Sequence, residues 1–253
     1  MAVVGTLAMF IGAAQAETLK MGNEGDYPPF SITQPDGTLS GLEPNLARAL
    51  CKKLGAECDI RAMEFKGLIP ALATGKIDMI VSQIFPTPER EKAVDLTIPV
   101  LENPETWVAK AGYDANITPE TLKGKSIGII KGAWNVELVK AYAPDATLNQ
   151  YDNISAIRLD LEAGRIDIAS VGRLAGLRSF IDAKDGKDWQ LIEPVKDLIG
   201  AGTFTWAVGK GNSELRERVN RALGELFADC SYTNIRKEFF SLPTSSQEPA
   251  SCK

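Results

Sequence analysis

Histidine is missing from all 253 residues. That excludes a Ser-His-Asp triad, a Cys-His dyad and any His-ligated zinc site. A basic excess is missing too. The chain carries 28 Lys and Arg against 33 Asp and Glu, a net charge of −5, with a pI near 5.0. A phosphate-binding footprint needs the opposite balance, so nucleic acid is not an expected partner. Long apolar runs are scarce. The first 16 residues, MAVVGTLAMFIGAAQA, form the one charge-free stretch of note, and a spanning helix needs about 20. What remains is ordinary for a folded chain, 44% apolar and 24% charged, with a length that suits one or two domains.

The charge-free start ends in Ala14-Gln15-Ala16, a small-x-small pattern typical of a signal-peptidase site. Residues 1–16 are expected to be a signal peptide and the mature, exported chain to begin at Glu17. The cysteines agree with export. There are four, Cys51, Cys58, Cys230 and Cys252, an even number that allows three disulfide connectivities. Their spacing fits neither a CxxC redox motif nor a zinc knuckle. Local pairing, Cys51 with Cys58 and Cys230 with Cys252, is favoured and would contribute about 2.5 and about 3.4 kcal/mol by loop-closure entropy.

Periodicity alternates between helix and strand. Thr18–Gly22 reads as a strand, Asp36-Gly37 as a hairpin turn, and Leu42, Leu46, Leu50 and Leu54 as one face of a helix with Pro44 in its first turn. A helix around Gly67–Thr74 stops at Gly75, and Ile77–Val81 follows as a buried strand. A long amphipathic helix spans about Ser213–Asp229. The chain also repeats itself: Leu72–Met79 (LATGKIDM) matches Leu161–Ile168 (LEAGRIDI) at a constant offset of 89 positions. Two similar α/β lobes are implied.

The order and spacing of several short motifs resemble family 3, the polar amino-acid family, of the periplasmic solute-binding proteins of ABC importers. These are Tyr27-Pro28-Pro29-Phe30, Gly41-Leu42-Glu43-Pro44-Asn45-Leu46-Ala47, Cys51 and Cys58, Phe65-x-x-Leu68-Ile69-Pro70, Gly75-Lys76-Ile77-Asp78, Thr87-Pro88-Glu89-Arg90 and Gly124–Gly128. The resemblance implies the two-lobe type II α/β fold with two hinge crossovers and a ligand held in the interlobe cleft. Lobe 1 would take residues 17–104 and 206–253, and lobe 2 residues 105–205. The crossovers would lie near Asn103-Pro104-Glu105 and Gly200-Ala201-Gly202. It also implies a periplasmic monomer that closes on a carboxylate-bearing small molecule and delivers it to an inner-membrane permease, with no cofactor and no metal.

The same resemblance supplies site residues. Arg90 would take the ligand carboxylate in a bidentate fork, beyond the strand end Ser82-Gln83. Tyr27 and Phe65 would sandwich the ligand. Glu24 reads equally as an acid facing the ligand's polar end or as a solvated loop residue. Three positions depart from the family pattern: Phe85 replaces a small hydroxyl residue, Gly132-Ala133-Trp134-Asn135 replaces a Thr-containing helix start, and Gly172 replaces the Asp that binds the α-ammonium. A helix starting near Gly132 would offer free N–H groups to the carboxylate. The expected ligand is a polar amino acid or amino-acid derivative. With no acid at Gly172 and a cage of Tyr27, Phe65, Phe85 and Trp134, one with a carboxylate plus a ring nitrogen, secondary amine or delocalised cation, as in ectoine or an opine, is favoured over a simple primary α-ammonium. Gly172→Asp is then expected to restore ordinary amino acids. An enzyme resembling cyclohexadienyl dehydratase, using Glu24 or Glu137 as its acid, and a sensory binding protein are the alternatives.

Overall fold

The computed structural model describes residues 17–193, 202–241 and 243–252. The expected signal peptide, and Gly200 and Ala201 of the second crossover, lie outside the described residues. Two five-stranded sheets build the two lobes. In the first, β1 (Thr18–Asn23), β5 (Glu57–Ala62), β6 (Met79–Ile84), β7 (Val94–Glu102) and β13 (Thr203–Gly209) stand in the order β5-β1-β6-β13-β7. In the second, β8 (Glu105–Lys110), β9 (Ser126–Ile130), β10 (Thr147–Tyr151), β11 (Ile168–Gly172) and β12 (Trp189–Ile192) stand in the order β10-β9-β11-β8-β12. Each sheet has three parallel strands followed by two antiparallel steps. A small sheet of β2 (Asp26–Tyr27), β3 (Ser31–Thr33) and β4 (Leu39–Ser40) caps the first lobe. Thr203–Thr205 were expected in the second lobe but belong to β13. The returning chain pairs with the first sheet from the moment it reaches the cleft edge, so the lobe boundary precedes the strand.

The sequence repeat has a structural counterpart. Helix α2 (Phe65–Ala73) leads into β6 as helix α6 (Ile154–Glu162) leads into β11. The turn glycines between them, Gly75 and Gly164, both sit at φ +69, where a side chain is strained. The aspartates that follow perform one job twice. Asp78 accepts from the Lys20 N–H at 2.9 Å while its own N–H donates to Lys20 O at 2.7 Å. Asp167 accepts from the Ser126 N–H and donates to Ser126 O, both at 2.8 Å. Each clamps the third parallel strand onto the first.

Helix α1 (Leu42–Leu54) buries Leu42, Leu46 and Leu50 completely, on the face its i, i+4 spacing defined. Helix α8 (Ser213–Ala228) buries Leu215, Val219, Leu223 and Leu226 against it. Three helices are a single turn or two: α3 (Pro88–Ala93), α4 (Pro119–Leu122) and α7 (Arg173–Gly176). Helix α5 (Val136–Tyr142) and the late helix α9 (Ser231–Lys237) are scarcely longer. Disulfides join Cys51 to Cys58 and Cys230 to Cys252. Both staple the first lobe. Among the described residues no helix is long and apolar enough to cross a membrane.

Candidate functional site

Parallel strands place their carboxyl ends at one edge of a sheet, and ligands bind beyond that edge. Here the edges of the two sheets face each other across a shared cavity. Glu24 follows β1, Gln83 closes β6, Ile130 closes β9, and Ser170 and Val171 close β11. Helix α2 begins at the cavity with Phe65, and the turn after β9 contributes Ala133, Trp134 and Asn135. Tyr27, Glu105 and Phe204 complete the wall. Of the residues expected here, Glu24, Tyr27, Phe65, Gln83, Ala133 and Trp134 line the cavity.

Two carboxyls face the same space, one from each lobe. Burial pushes Glu24 up to about 8, with the Asp26 charge adding to the rise. Burial pushes Glu105 up to about 7, against the pull of the Ser170 hydroxyl and the Trp134 indole. No cation contributes to either shift. Desolvated carboxyls without a counter-ion are costly to ionise, and a cation brought between the lobes would relieve both. The Tyr27 hydroxyl feels both acids, and with its burial they hold its pKa well above the ordinary value.

The polar wall is incompletely satisfied by the protein. Gln83 Nε2, Trp134 Nε1 and Asn135 Oδ1 are buried without a hydrogen-bond partner, although Trp134 lies near enough to Glu105 to lower that carboxyl's pKa. Buried polar atoms are otherwise paired almost without exception, so three open ones around one cavity mark a surface built for a polar guest. The partnered atoms form a relay: Asn135 Nδ2 donates to Ser170 Oγ at 2.8 Å, and that hydroxyl reaches Glu105 Oε2 at 3.3 Å.

Gly172 serves the closure of the lobes. Its N–H donates to the Tyr27 hydroxyl at 2.9 Å, across the cleft. A Cβ here would stand 2.2 Å from Asn103 Nδ2 and 2.7 Å from Tyr27 Oη. Asn103, at the crossover, donates to Gln83 Oε1 at 2.9 Å and accepts from the Leu174 N–H at 2.9 Å. Its own N–H donates to Gly202 O at 2.6 Å, tying the two crossovers together. For Gly172→Asp to act as expected, the Asn103 amide and the Tyr27 hydroxyl, which hold that space, would have to shift.

Arg90 stands behind the cavity wall. Its Nη1 donates to Phe85 O at 3.0 Å and its Nη2 crosses the cleft to Gly132 O at 2.8 Å, with the guanidinium 5.5 Å above the Phe65 ring. Burial lowers it to about 10, leaving it a cation at neutral pH. Ser82 is fully buried beneath the wall with its hydroxyl unpartnered. Phe85 does not line the cavity. It stacks on Trp134 at 4.1 Å and meets Phe204 edge-on at 5.9 Å, so the rings facing the cavity are Tyr27, Phe65, Trp134 and Phe204. The helix expected from Gly132 begins at Val136. The intervening turn spends the Ala133 N–H on Ile130 O at 3.1 Å, so that donor is not free for a carboxylate.

Residues 19–242 match the bacterial extracellular solute-binding proteins, family 3. The chain belongs to that family. This family 3 protein is 33% identical over 251 residues to the L-arginine-binding protein of Pseudomonas aeruginosa, covering 95% of this chain and 96% of that one. It is 32% identical over 233 residues to the histidine-binding periplasmic protein of Escherichia coli K12, covering 90% and 89%. A solved structure of an ancestral arginine-binding protein bound to glutamine superposes with a TM-score of 0.82 at 33% identity, covering 90% of this chain and all of the other. These relatives are binding proteins.

Sequence reasoning passed over Glu105, Asn135 and Phe204 as wall residues of this family 3 cleft. The signal for Glu105 was present in Asn103-Pro104-Glu105, read only as a crossover. A strand entering its sheet antiparallel to the others starts at the edge where they end, so its first side chain reaches the cleft. Phe204 arrives by the same logic at the start of β13.

Proposed function

We propose that this protein is the extracytoplasmic capture component of an ABC importer and that its ligand is a cationic amino acid of the arginine–lysine class. The observation that carries this is the pair of carboxyls, Glu24 and Glu105, facing one cavity from opposite lobes with no cation among the described residues contributing to the shift of either. A guest with two positive groups satisfies both. The aromatic faces of Tyr27, Phe65 and Trp134 favour a long aliphatic stem or a guanidinium. Arg90 spends two of its five donors on carbonyls and, standing behind the wall, would have to turn toward the cavity to meet a carboxylate. The case for a derivative lacking a primary ammonium rested on the absence of an acid at position 172, and Glu105 removes that ground. The relative named for arginine agrees in charge.

Export through residues 1–16 and delivery to a membrane permease belong to the same reading. The enzyme alternative loses Glu137, which lies exposed on α5 and pairs with Lys140 at 2.9 Å. Calorimetry with arginine, lysine, ornithine, histidine, glutamine, glutamate, ectoine and an opine tests the ligand class. Arginine or lysine is expected to bind most tightly. Tightest binding of glutamate or ectoine would overturn the reading.

A further inference from the structure

The second lobe ends its third parallel strand with the hydroxyl of Ser170 but no acid, yet an acid is not far. In the antiparallel pair β8–β11, Gly172 stands directly opposite Glu105. The carboxyl that β11 cannot carry is thus available from the neighbouring strand at the same level of the ladder. Cross-strand partners lie about 4.5–5.5 Å apart, well within the reach of a glutamate side chain.

Two further acceptor features surround it. Ser170 Oγ bridges Glu105 to the Asn135 amide, and Asn135, 3% exposed, leaves its Oδ1 without a partner on the cavity wall. The carboxylate and the open amide carbonyl, held by one relay, are both acceptors, with the Trp134 indole N–H as a donor beside the carboxyl. Such a corner suits a compact ammonium with several N–H donors. The turn that carries Asn135 also holds Gly132, whose carbonyl is bound by Arg90. The acceptor corner and the arginine therefore meet through the same short turn, as the ammonium and carboxylate of an amino acid meet through one carbon. Glu24 lies on the other lobe, after β1, with the Asp26 charge beside it.

We propose that Glu105, with Asn135 Oδ1, is the specificity-determining acceptor for the ligand's α-ammonium, and that Glu24 reads the distal cation. This rests on the reading of the cleft as a cationic amino-acid site.

Matched ligands separate the two poles. Arginine is compared with 5-guanidinopentanoate, and lysine with 6-aminohexanoate; each second compound lacks only the α-ammonium. Glu105→Gln is expected to weaken the amino acid by at least about tenfold while changing the deaminated partner by less than about threefold. Glu24→Gln is expected to weaken both members of a pair alike. If Glu105→Gln weakens both members equally, or neither, the assignment of Glu105 is overturned while the ligand class stands. If the wild type binds neither arginine nor lysine, the ligand class itself falls and the assignment with it. Should Glu105→Gln fail to fold, Glu105→Asp keeps the charge on a shorter stem. It is expected to show the same selective loss at smaller size, and an equal loss for both members would again overturn the assignment.

Discussion

The two lobes share their strand order, their helix-to-strand repeat and even the aspartate that clamps the third parallel strand, yet they furnish the cleft differently. Positions 89 apart at the ends of β6 and β11 hold Gln83 and Gly172. The first lobe thus delivers a polar side chain where topology leads one to look for it. The second offers only the Ser170 hydroxyl near that end and supplies its acid, Glu105, from the adjacent strand. Backbone hydrogen bonds fix the architecture, while chemistry can pass sideways along a ladder because facing residues occupy nearly the same place. The lobes differ in reinforcement too, since both disulfides lie in the first.

The interlobe role of Arg90 offers the harshest test of this division. Arg90→Ala leaves the carbonyls of Phe85 and Gly132 without their donor and removes the cation nearest the cleft. Ligand affinity is expected to fall by about 2–3 kcal/mol, roughly 30- to 150-fold. Calorimetric affinity within threefold of wild type would show that the guanidinium neither joins the lobes nor meets the ligand. A smaller loss is expected for Gly172→Asp. Its Cβ enters space held by Asn103 and Tyr27, and the misfit should cost about 1–3 kcal/mol of closed-form stability. Small-angle scattering should then show an open form persisting at ligand concentrations that close the wild type. Tighter binding of arginine by this variant would mean that the second lobe can furnish the cleft as the family pattern suggests.

Acidity sharpens the comparison further. Glu105 and Glu24 hold protons up to about 7 and about 8, so each is largely neutral below its value. A cationic guest binds the ionised form, so affinity should rise as pH climbs through that range and binding should release protons. Calorimetry in buffers of different ionisation enthalpy measures the release, and a flat or falling profile would refute it. The least effect is expected from Phe85→Ser. Phe85 supports Trp134 from behind rather than touching the guest, so the loss should be about 0.5–1.5 kcal/mol, the worth of the ring pair. A larger loss would return Phe85 to the cavity wall.

Much of the fold was legible because its determinants are local. The leucines of α1, the turn glycines Gly75 and Gly164 and the repeat at offset 89 each act within a few residues of themselves. Tyr27, Phe65 and Gln83 were legible as wall residues through the short motifs that carry the family resemblance. Glu105 was not, because its place depends on a strand that runs against its neighbours, and strand direction is set by pairing over long range. Asn135 was obscured by the helix expected from Gly132. The stacking of Phe85 on Trp134 joins two lobes, and no local pattern records it.

The contact among Gly172, Tyr27 and Asn103 also bears on how such a protein can change. A carboxylate at position 172 becomes possible only once the tyrosine hydroxyl and the asparagine amide have withdrawn. Either withdrawal by itself breaks a tie between the lobes before any new charge is in place. An acid on β11 therefore requires matching change at Asn103 and Tyr27.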